Sequence, residues 1–432
     1  MQTNDQIRKS ITVRGLSGLQ NQGNTCYMNA VLQCLSNTEL FCIYILNKNF
    51  ADQLKENIIC AMATKKRKRY SLDETEIVEL DKKDIIENIK HNSIIYNLYK
   101  LFGEMWKDNN EIAPISFKKA LGKYNSMFDN YRQQDSQELL NCILDAIHEE
   151  LKVKTNVRYK HIPQKVKLFR EKIDEFKELL KDDRNKINTL IRYKKFVNEH
   201  TEEYIINASM EYWSSYLKNG HSIIRDMFAG ITYTATCCDE CKITSLAFEP
   251  FIMLPISIPD TKDGCKLETC FINYNQENIL SGQEKYQCDN CVKLCDAQQK
   301  TYLWEPPHIL IIHLKRFINI MFGNHCHTKK VDTKITFPLK NLDVSSITSE
   351  YSIDANNKLY NLYGVVCQSG NLNSGHYFAY CKNTINKKWY RFNDSHVEHI
   401  TDDKIENEIT NDAYILFYEK TQDGIEIEMP ED

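Results

Sequence analysis

Two pairs of cysteines with the spacing Cys-x-x-Cys constrain this chain more than any other feature. They are Cys238 with Cys241 and Cys288 with Cys291, and they lie on either side of strand-like sequence. Four thiolates at this spacing suit a tetrahedral structural zinc that closes two knuckles at the end of an extended hairpin. A closed site of this kind has no open coordination position, so we expect it to support folding rather than catalysis. The competing interpretation is four unliganded core cysteines.

The chain has sixteen cysteines, and their use depends on the compartment. The N-terminus lacks the apolar core of a signal peptide, and no apolar run approaches the roughly 20 residues that span a bilayer. We therefore expect a cytoplasmic location, a nuclear location or both, and no membrane partner. A reducing compartment disfavours disulfides, so clustered cysteines there bind metal or carry out chemistry. Cys237 and Cys295 lie beside the paired cysteines, and exchange of ligands with them stays open.

Charge argues against nucleic acid as a specific partner, because the formal net charge is only −4. The charges are unevenly distributed, however. Residues 65–69 form a basic block, which is either a solvated loop or a signal for nuclear import or an anionic partner. The C-terminal tail, residues 420–432, ends in an acidic run.

The pattern of apolar residues changes from helical to strand-like near residue 226. Up to about residue 220, apolar residues recur at helical spacing, and residues 164–196 suggest an exposed helical hairpin that docks on its own domain or on a protein partner. Beyond residue 226, short segments rich in aromatic and β-branched residues alternate with turns, as in a largely antiparallel sheet. A helical half followed by a strand-rich half predicts an α+β fold.

Cys26 is the candidate nucleophile because it falls in the first turn of a helix that we expect to begin near Asn24 or Thr25. The thiolate is the reactive form of cysteine, and a helix N-terminus favours negative charge. The N–H groups there can also face an oxyanion that forms beside the sulfur. Helix position alone does not decide the matter, because a cysteine such as Cys34 on the same helix is more simply a small buried hydrophobe.

The residues around Cys26 are more specific. Residues 18–35, GLQNQGNTCYMNAVLQCL, resemble the cysteine box of ubiquitin-specific proteases. The resemblance implies a papain-like cysteine protease with a helical thumb, an antiparallel palm and zinc-ribbon fingers. It also implies that the Asn21 side-chain amide and the Cys26 backbone N–H form the oxyanion hole. The alternative for Asn21 is a turn residue that bonds its own backbone.

A cysteine hydrolase needs an imidazole beside the sulfur and a third group that holds it. His376 lies in the segment SGHYFAY, at a loop-to-strand junction, and the segment WYRFNDS follows within hairpin reach. The resemblance assigns His376 as the base and Asn393 as the residue that orients it. Many family members have Asp in place of Asn393, and the neighbouring Asp394 could supply the electrostatic support that an amide lacks.

Residues 134–140, QDSQELL, resemble a second family block, which lines the channel for the C-terminal tail of ubiquitin. Asp135 and Glu138 could bind the arginines or backbone amides of that tail, or they could form a capping box at a helix start. Gln368 replaces a histidine that family members carry on a loop bordering the tail. We expect the Gly375–His376 loop to narrow the channel so that only Gly-Gly passes at the scissile end.

The resemblance runs from about residue 15 to residue 419. It divides the chain into an extension (1–14), a catalytic domain (15–419) and the tail (420–432). Within the domain it predicts a thumb (15–225, with insertions near 51–94 and 153–203), mainly fingers (226–300) and mainly palm (301–419).

The implied activity is hydrolysis of the isopeptide or peptide bond at the C-terminal glycine of ubiquitin, on ubiquitinated proteins. The alternatives are a catalytically weak or inactive ubiquitin-binding scaffold and a protease for another ubiquitin-like modifier. One structural Zn²⁺ held by four cysteines is expected, and no catalytic cofactor.

Overall fold

The structure is a computed structural model that describes residues 13–421, except for 71–79, 158, 160, 182–185, 219, 323–324, 353–357 and 372–373. Most of the predicted extension (1–14) and tail (420–432) therefore lies outside the described residues. No described helix combines the length and the apolar character that a membrane crossing requires.

The N-terminal half is helical, as predicted, and its helices continue to the start of the first strand. Two further helices lie in the strand-rich half. The thirteen described α-helices are α1 Cys26–Ser36, α2 Glu39–Leu46, α3 Ala51–Tyr70, α4 Lys82–Asn92, α5 Ile94–Met105, α6 Ile115–Tyr124, α7 Ser136–Leu151, α8 Gln164–Leu179, α9 Lys186–Glu199, α10 Thr201–Lys218, α11 Ile223–Phe228, α12 Leu267–Tyr274 and α13 Asp402–Glu408.

The strand-rich half forms a large sheet and a small sheet with several short hairpins. The described strands are β1 Gly230–Cys238, β2 Thr244–Phe251, β3 Met253–Ser257, β4 Cys265–Lys266, β5 Asn278–Leu280, β6 Tyr286–Cys288, β7 Lys293–Cys295, β8 Ala297–Glu305, β9 Ile309–Lys315, β10 Phe317–Phe322, β11 His325–Lys330, β12 Ile335–Thr336, β13 Leu342–Asp343, β14 Leu359–Ser369, β15 His376–Lys382, β16 Trp389–Asn393, β17 His396–Ile400 and β18 Ala413–Lys420.

The large sheet has the order β17-β16-β15-β14-β18-β9-β3, with β13 beside β14. It is antiparallel except for the β3–β9 pair, which is parallel. Its central strands are buried on both faces. On β15, Tyr377 and Ala379 face the core that contains α1, whereas Phe378 and Tyr380 face a second core. This double burial explains why β15 reads as a continuous apolar run.

Helix α1 is the centre of the helical half, and all eleven of its residues are buried. It packs against β15 and α7, which places the start of the helix beside the start of the strand. Cys34 is fully buried, as predicted, and its Sγ lies 3.7 Å from the Sγ of Cys381 on β15. The thiol pair lies in the interface that fixes α1 against the large sheet.

The small sheet has the order β2-β1-β8-β5. Its aromatic face carries Tyr233 and Trp304, and the residues buried against it include Val166 of α8 and Ile206 of α10. The predicted helical hairpin at 164–196 is therefore α8 and α9, and it docks on its own domain through α8. The sequence did not indicate that α10 completes a three-helix unit.

The basic block at residues 65–69 is not a loop, contrary to our first interpretation. It forms the last turns of α3, a helix of 20 residues. Cations are favourable at the C-terminal end of a helix because they complement its macrodipole. The basic residues at 65–69 indicated a loop, but they are compatible with the C-terminal end of a helix, and α3 continues through them.

Residues 13–20 form a strap between the helical half and the large sheet. Asn383, in the β15–β16 turn, donates a hydrogen bond to Arg14 O over 2.8 Å. On the helical side, the Ser17 hydroxyl donates to Met105 O over 2.9 Å. A methyl group on Gly18 would lie 2.2 Å from Ser395 O, so the strap passes too close to the sheet for any side chain there.

Candidate active site

Cys26 is the first residue of α1, as predicted, and Thr25 is the N-cap residue. Gly23 and Asn24 turn the preceding loop with φ values of 95° and 52°, in the left-handed region that glycine and asparagine tolerate best. The Cys26 N–H belongs to the N-terminal donors that an α-helix leaves without an intrahelical partner. The helix therefore presents both a thiol and an N–H donor at its start.

His376 begins β15, and the Cys26 side chain is the largest single influence on its pKa. On the other side of the ring, Nε2 is 2.6 Å from Asn393 Oδ1. Since an amide oxygen can only accept, Nε2 carries a proton and Nδ1 is left for the sulfur. The contact between His376 and Asn393 is thus present, and the role of Cys26 as the nucleophile stays a prediction.

The electrostatics of His376 favour the imidazolium. The hydrogen bond to Cys26, together with smaller contributions from Asn393 and Asp394, raises the pKa of His376 to about 9, against an opposing effect of burial. A histidine with this pKa is protonated at neutral pH, so its proton can stabilise a thiolate at Cys26.

Asp394 bonds to asparagines and not to His376. Its Oδ2 accepts a hydrogen bond from Asn21 Nδ2 over 3.0 Å, and its Oδ1 accepts one from Asn29 Nδ2 over 2.8 Å. Its backbone has a left-handed φ of 51°, and its carbonyl accepts from Leu19 N over 2.9 Å. The predicted support for His376 is limited to a minor electrostatic contribution, because the carboxylate is directed at the loop before Cys26.

Asn21 makes the contacts that the turn interpretation predicts, and the oxyanion-hole interpretation stays a prediction. Its Oδ1 accepts from Gly23 N at 3.1 Å and from Thr25 N at 3.0 Å, as a turn residue would. Its Nδ2 carries two hydrogens, and the bond to Asp394 uses one of them. The second hydrogen gives the amide a donor for an oxyanion, while the first fixes its orientation.

The sequence did not indicate a role for Gln133. Its amide bonds both backbone groups of Gly375: Nε2 donates to the carbonyl over 2.5 Å, and Oε1 accepts from the N–H over 3.0 Å. We call this pair of bonds the clasp. The clasp joins the segment before α7 to the residue that precedes His376. Cys26 itself is only 2% exposed. A lone glutamine has no sequence signal that would have predicted this contact.

Gln368 is not on a loop, contrary to our expectation. It lies in β14 and is fully buried. Its Nε2 donates to Asn371 O over 2.9 Å, and a methyl group on Gly375 would lie 2.2 Å from that nitrogen. Gln368 therefore packs beneath the loop that leads to His376, and it has no exposed surface for a substrate.

Asp135 is the N-cap residue of α7, as the capping interpretation predicted. Its Oδ1 accepts from Gln137 N over 2.7 Å, and its Oδ2 accepts from the Tyr414 hydroxyl over 2.6 Å. Burial raises the pKa of Asp135 in spite of these bonds. Glu138, one turn later, is exposed. The two carboxylates of this block thus have different environments.

Comparison with known proteins places the chain in a family. The model of the ubiquitin carboxyl-terminal hydrolase family matches residues 17–418, nearly the whole chain. The chain belongs to the ubiquitin carboxyl-terminal hydrolase family. The predicted resemblance is confirmed, and Cys26, His376 and Asn393 all lie within the matched range.

Individual relatives of this hydrolase agree with that assignment. Probable ubiquitin carboxyl-terminal hydrolase R319 of Acanthamoeba polyphaga mimivirus is 31% identical over 95% of the chain and 92% of its own length. Human ubiquitin carboxyl-terminal hydrolase 2 is 30% identical over 95% of the chain. The chain spans only 56% of the length of this human relative.

A solved structure supports the α+β fold of this hydrolase. The SAGA Ubp8/Sgf11/Sus1/Sgf73 DUB module bound to ubiquitin aldehyde aligns with 97% of the chain and covers 73% of the matched chain of that complex. The TM-score is 0.62 at 22% sequence identity, which establishes likeness of fold.

At the far end of its small sheet, this hydrolase brings the paired cysteines together. Cys238 and Cys291 have their Sγ atoms 4.0 Å apart, and those of Cys241 and Cys288 are 3.7 Å apart. Four thiolates at about 2.3 Å from a tetrahedral zinc lie about 3.8 Å from one another. These cysteines, which we call the cysteine cluster, could therefore hold a metal ion.

Proposed function

We propose that this protein is a cysteine-type deubiquitinase that hydrolyses the isopeptide or peptide bond at the C-terminal glycine of ubiquitin. The observation that carries the proposal is the line from Cys26 through His376 to Asn393, with Nε2 and Oδ1 2.6 Å apart, in a chain of this family. The substrate class comes from the named activity of the relatives. Ubiquitinated proteins are accordingly the proposed partners.

In the proposed reaction, the Cys26 thiolate attacks the carbonyl carbon of the terminal glycine. Asn21 Nδ2 and the Cys26 N–H stabilise the oxyanion that forms, and Asp394 holds Asn21 in position. The imidazolium of His376 then donates its proton to the leaving amine, and a thioester remains on Cys26. Neutral His376 next takes a proton from water, which attacks the thioester and releases ubiquitin with a free carboxylate.

We assign different substrate roles to the two carboxylates of α7. Asp135 already accepts two hydrogen bonds within the protein, so its contribution is to cap the helix and fix Tyr414. Glu138 is exposed and is the carboxylate that we propose for the basic ubiquitin tail. Gly375 and the clasp border the scissile end, where only a glycine pair would fit.

We also infer that the ion of the cysteine cluster is zinc, with a role in folding, because four thiolates close the coordination shell. The predicted limits of thumb, fingers and palm remain our proposal, with two adjustments. Strand β3 pairs with the large sheet and would belong to the palm, and β8 would extend the fingers to Glu305. A cytoplasmic or nuclear location is likewise proposed.

A ubiquitin probe with a thiol-reactive C-terminus tests the function. We expect the wild-type chain to form one adduct, at Cys26, and Cys26→Ala to form none. Cys60 is an exposed free cysteine on α3, so Cys60→Ala should label like wild type and serves as the matched control. Adduct formation is read as a mass shift and mapped by peptide analysis.

Three results would contradict this assignment or redirect it. Equal labelling of Cys26→Ala would exclude Cys26 as the nucleophile. Ubiquitin binding without labelling or turnover would identify an inactive scaffold. Labelling by a probe built on another ubiquitin-like modifier, with none by the ubiquitin probe, would change the substrate and leave the chemistry intact.

The pH dependence follows from the raised pKa of His376. Because the protonated imidazole persists up to about pH 9, kcat/KM should fall as the pH rises through about 9. Asn393 helps to raise this pKa, so Asn393→Ala should move the alkaline limb to lower pH. The measurement is kcat/KM against pH on a fluorogenic ubiquitin amide. Asn386→Ala is the control: it removes a hydrogen bond to Tyr390 in the same hairpin and should leave the alkaline limb of the pH profile where it is. An alkaline limb that does not move in Asn393→Ala would refute the role of Asn393 in raising the pKa of His376.

The clasp predicts the accessibility of Cys26. Gln133→Ala removes two hydrogen bonds to Gly375, each with a net contribution of about 0.5–1.5 kcal/mol. If the clasp must open for access, iodoacetamide should alkylate Cys26 about 5- to 10-fold faster in the variant, as expected for a loss of roughly 1–1.4 kcal/mol. Gln134→Ala is the control, because that side chain bonds Met127 instead. An unchanged rate in Gln133→Ala would show that the clasp does not limit access.

A further inference from the structure

A fifth thiol, that of Cys295, is buried beside the cysteine cluster. Cys295 is 1% exposed and is buried with Cys238 and Cys288, and the partly buried residues packed against them are Cys241, Cys291 and Tyr286. Its neighbours are thus mainly other thiols and not aliphatic side chains. A cysteine that served only as a small hydrophobe would be expected in an aliphatic core, as Cys34 is.

Cys295 lies next to Cys291, the ligand whose place it could take. The ligand atoms of Glu240, Cys291 and Cys295 all lie within 4.8 Å of one another. Cys295 thus lies beside the coordination position that Cys291 occupies, and it also packs against Cys238 and Cys288. Glu240 is exposed and forms an ion pair with Lys293 at 2.6 Å, so the thiol is the better candidate of the two.

The strand topology decides which ligand Cys295 can replace. Cys291 lies in the turn between β6 and β7, and Cys295 ends β7, so both belong to one hairpin. Exchange of one for the other leaves two ligands from this hairpin and two from the β1–β2 hairpin. The connection that the metal makes between the hairpins is then unchanged. Cys241 belongs to the other hairpin, where Cys295 cannot substitute without loss of that balance.

We propose that Cys295 is a reserve metal ligand that takes the place of Cys291. The proposal rests on the metal site inferred under the proposed function. In the exchange, the bond from the metal to Cys291 Sγ breaks and a bond to Cys295 Sγ forms. The Cys295 proton passes to the Cys291 thiolate or, where Cys291 is alkylated, to water. The oxidation state and coordination number of the metal do not change.

The different exposure of the cysteines indicates when a reserve ligand would be needed. Cys241 and Cys291 are the two half-exposed members of the cluster, whereas Cys238, Cys288 and Cys295 are buried. Thiol reagents therefore reach Cys241 and Cys291 first. Chemical modification of Cys291 leaves four thiolates for the metal, because Cys295 can take its place. Modification of Cys241 leaves the β1–β2 hairpin with only one ligand.

Cobalt(II) bound to the full chain tests the proposal without any use of activity, because thiolate-to-cobalt absorption scales with the number of cobalt–sulfur bonds. Cys291→Ala should keep the four-thiolate intensity of wild type through Cys295. Cys291→Ala/Cys295→Ala should lose about one quarter of it, as one of four ligands is gone. Cys241→Ala should lose that quarter, or all binding, as a single variant.

Cys237→Ala/Cys291→Ala is the matched control, because Cys237 is the other neighbouring cysteine and its Sγ lies 4.0 Å from Cys238 O. It should behave like Cys291→Ala alone. The proposal is overturned if Cys291→Ala binds no cobalt or matches the Cys291/Cys295 double variant in intensity. Absence of a four-thiolate spectrum in wild type would instead refute the metal site itself, and neither result depends on deubiquitination.

Discussion

Replacement of Asp394 by alanine should lower kcat by about 10²–10³-fold, as much as loss of the oxyanion donor that it holds. The reason is the 3.0 Å bond from Asn21 Nδ2 to Asp394 Oδ2, which fixes the amide beside Cys26. Asn21→Ala should produce a similar loss. Because Asp394 acts on the transition state through Asn21, KM should change little in either variant.

A double-mutant cycle separates this role from general damage. If Asp394 works through Asn21, the Asn21→Ala/Asp394→Ala variant should be little slower than either single variant, so the two effects are strongly non-additive. Asn29→Ala removes the other partner of the Asp394 carboxylate and should cost much less in kcat. Additive losses, or a rise in KM alone, would argue against a positioning role.

Loss of a metal ligand should unfold the tip of the small sheet. Binding of structural zinc in small zinc domains has an apparent free energy of about 10–16 kcal/mol, which matches the roughly 5–15 kcal/mol stability of a whole domain. Cys288→Ala, or a chelator added to wild type, should therefore abolish amide-exchange protection in β6 and β7. Protection in α1 should persist, since that helix lies in a separate core.

Hydrogen-exchange mass spectrometry gives this result segment by segment, and metal analysis gives the zinc content. Cys265→Ala is the matched control: its Sγ lies 3.8 Å from that of Cys270, in a thiol pair outside the cysteine cluster. It should keep zinc and protection at the tip. Full protection of β6 and β7 in metal-free protein would show that the hairpins hold together without an ion.

Local patterns were sufficient to predict the helical half and the strands, because each of these depends on residues close together in the sequence. The assignment of Cys26, His376 and Asn393 came from the family resemblance and stays a prediction. The contacts that organise the site join distant residues and have no such pattern. Gln133 is 242 residues from Gly375, and Asn21 is 373 residues from Asp394.

Two corrections share a physical cause. Polarity indicated a loop for the basic block at 65–69, and the family resemblance indicated one for Gln368. Tertiary and helical context determined the outcome instead. Gln368 is buried because its amide bonds the carbonyl of Asn371 beneath the loop to His376, and the basic block continues α3. Polarity predicts exposure only where no partner is available.

The strap formed by residues 13–20 has a practical consequence. Its Leu19 N–H holds the Asp394 carbonyl, so the N-terminal segment contributes to the same loop that positions Asn21. A protease that cuts within the strap should inactivate the enzyme while leaving both sheets folded. A purification tag or fusion partner should therefore be joined before residue 13. One joined at Gly18 would clash with Ser395 and displace the hydrogen-bonded pair of Asn21 and Asp394.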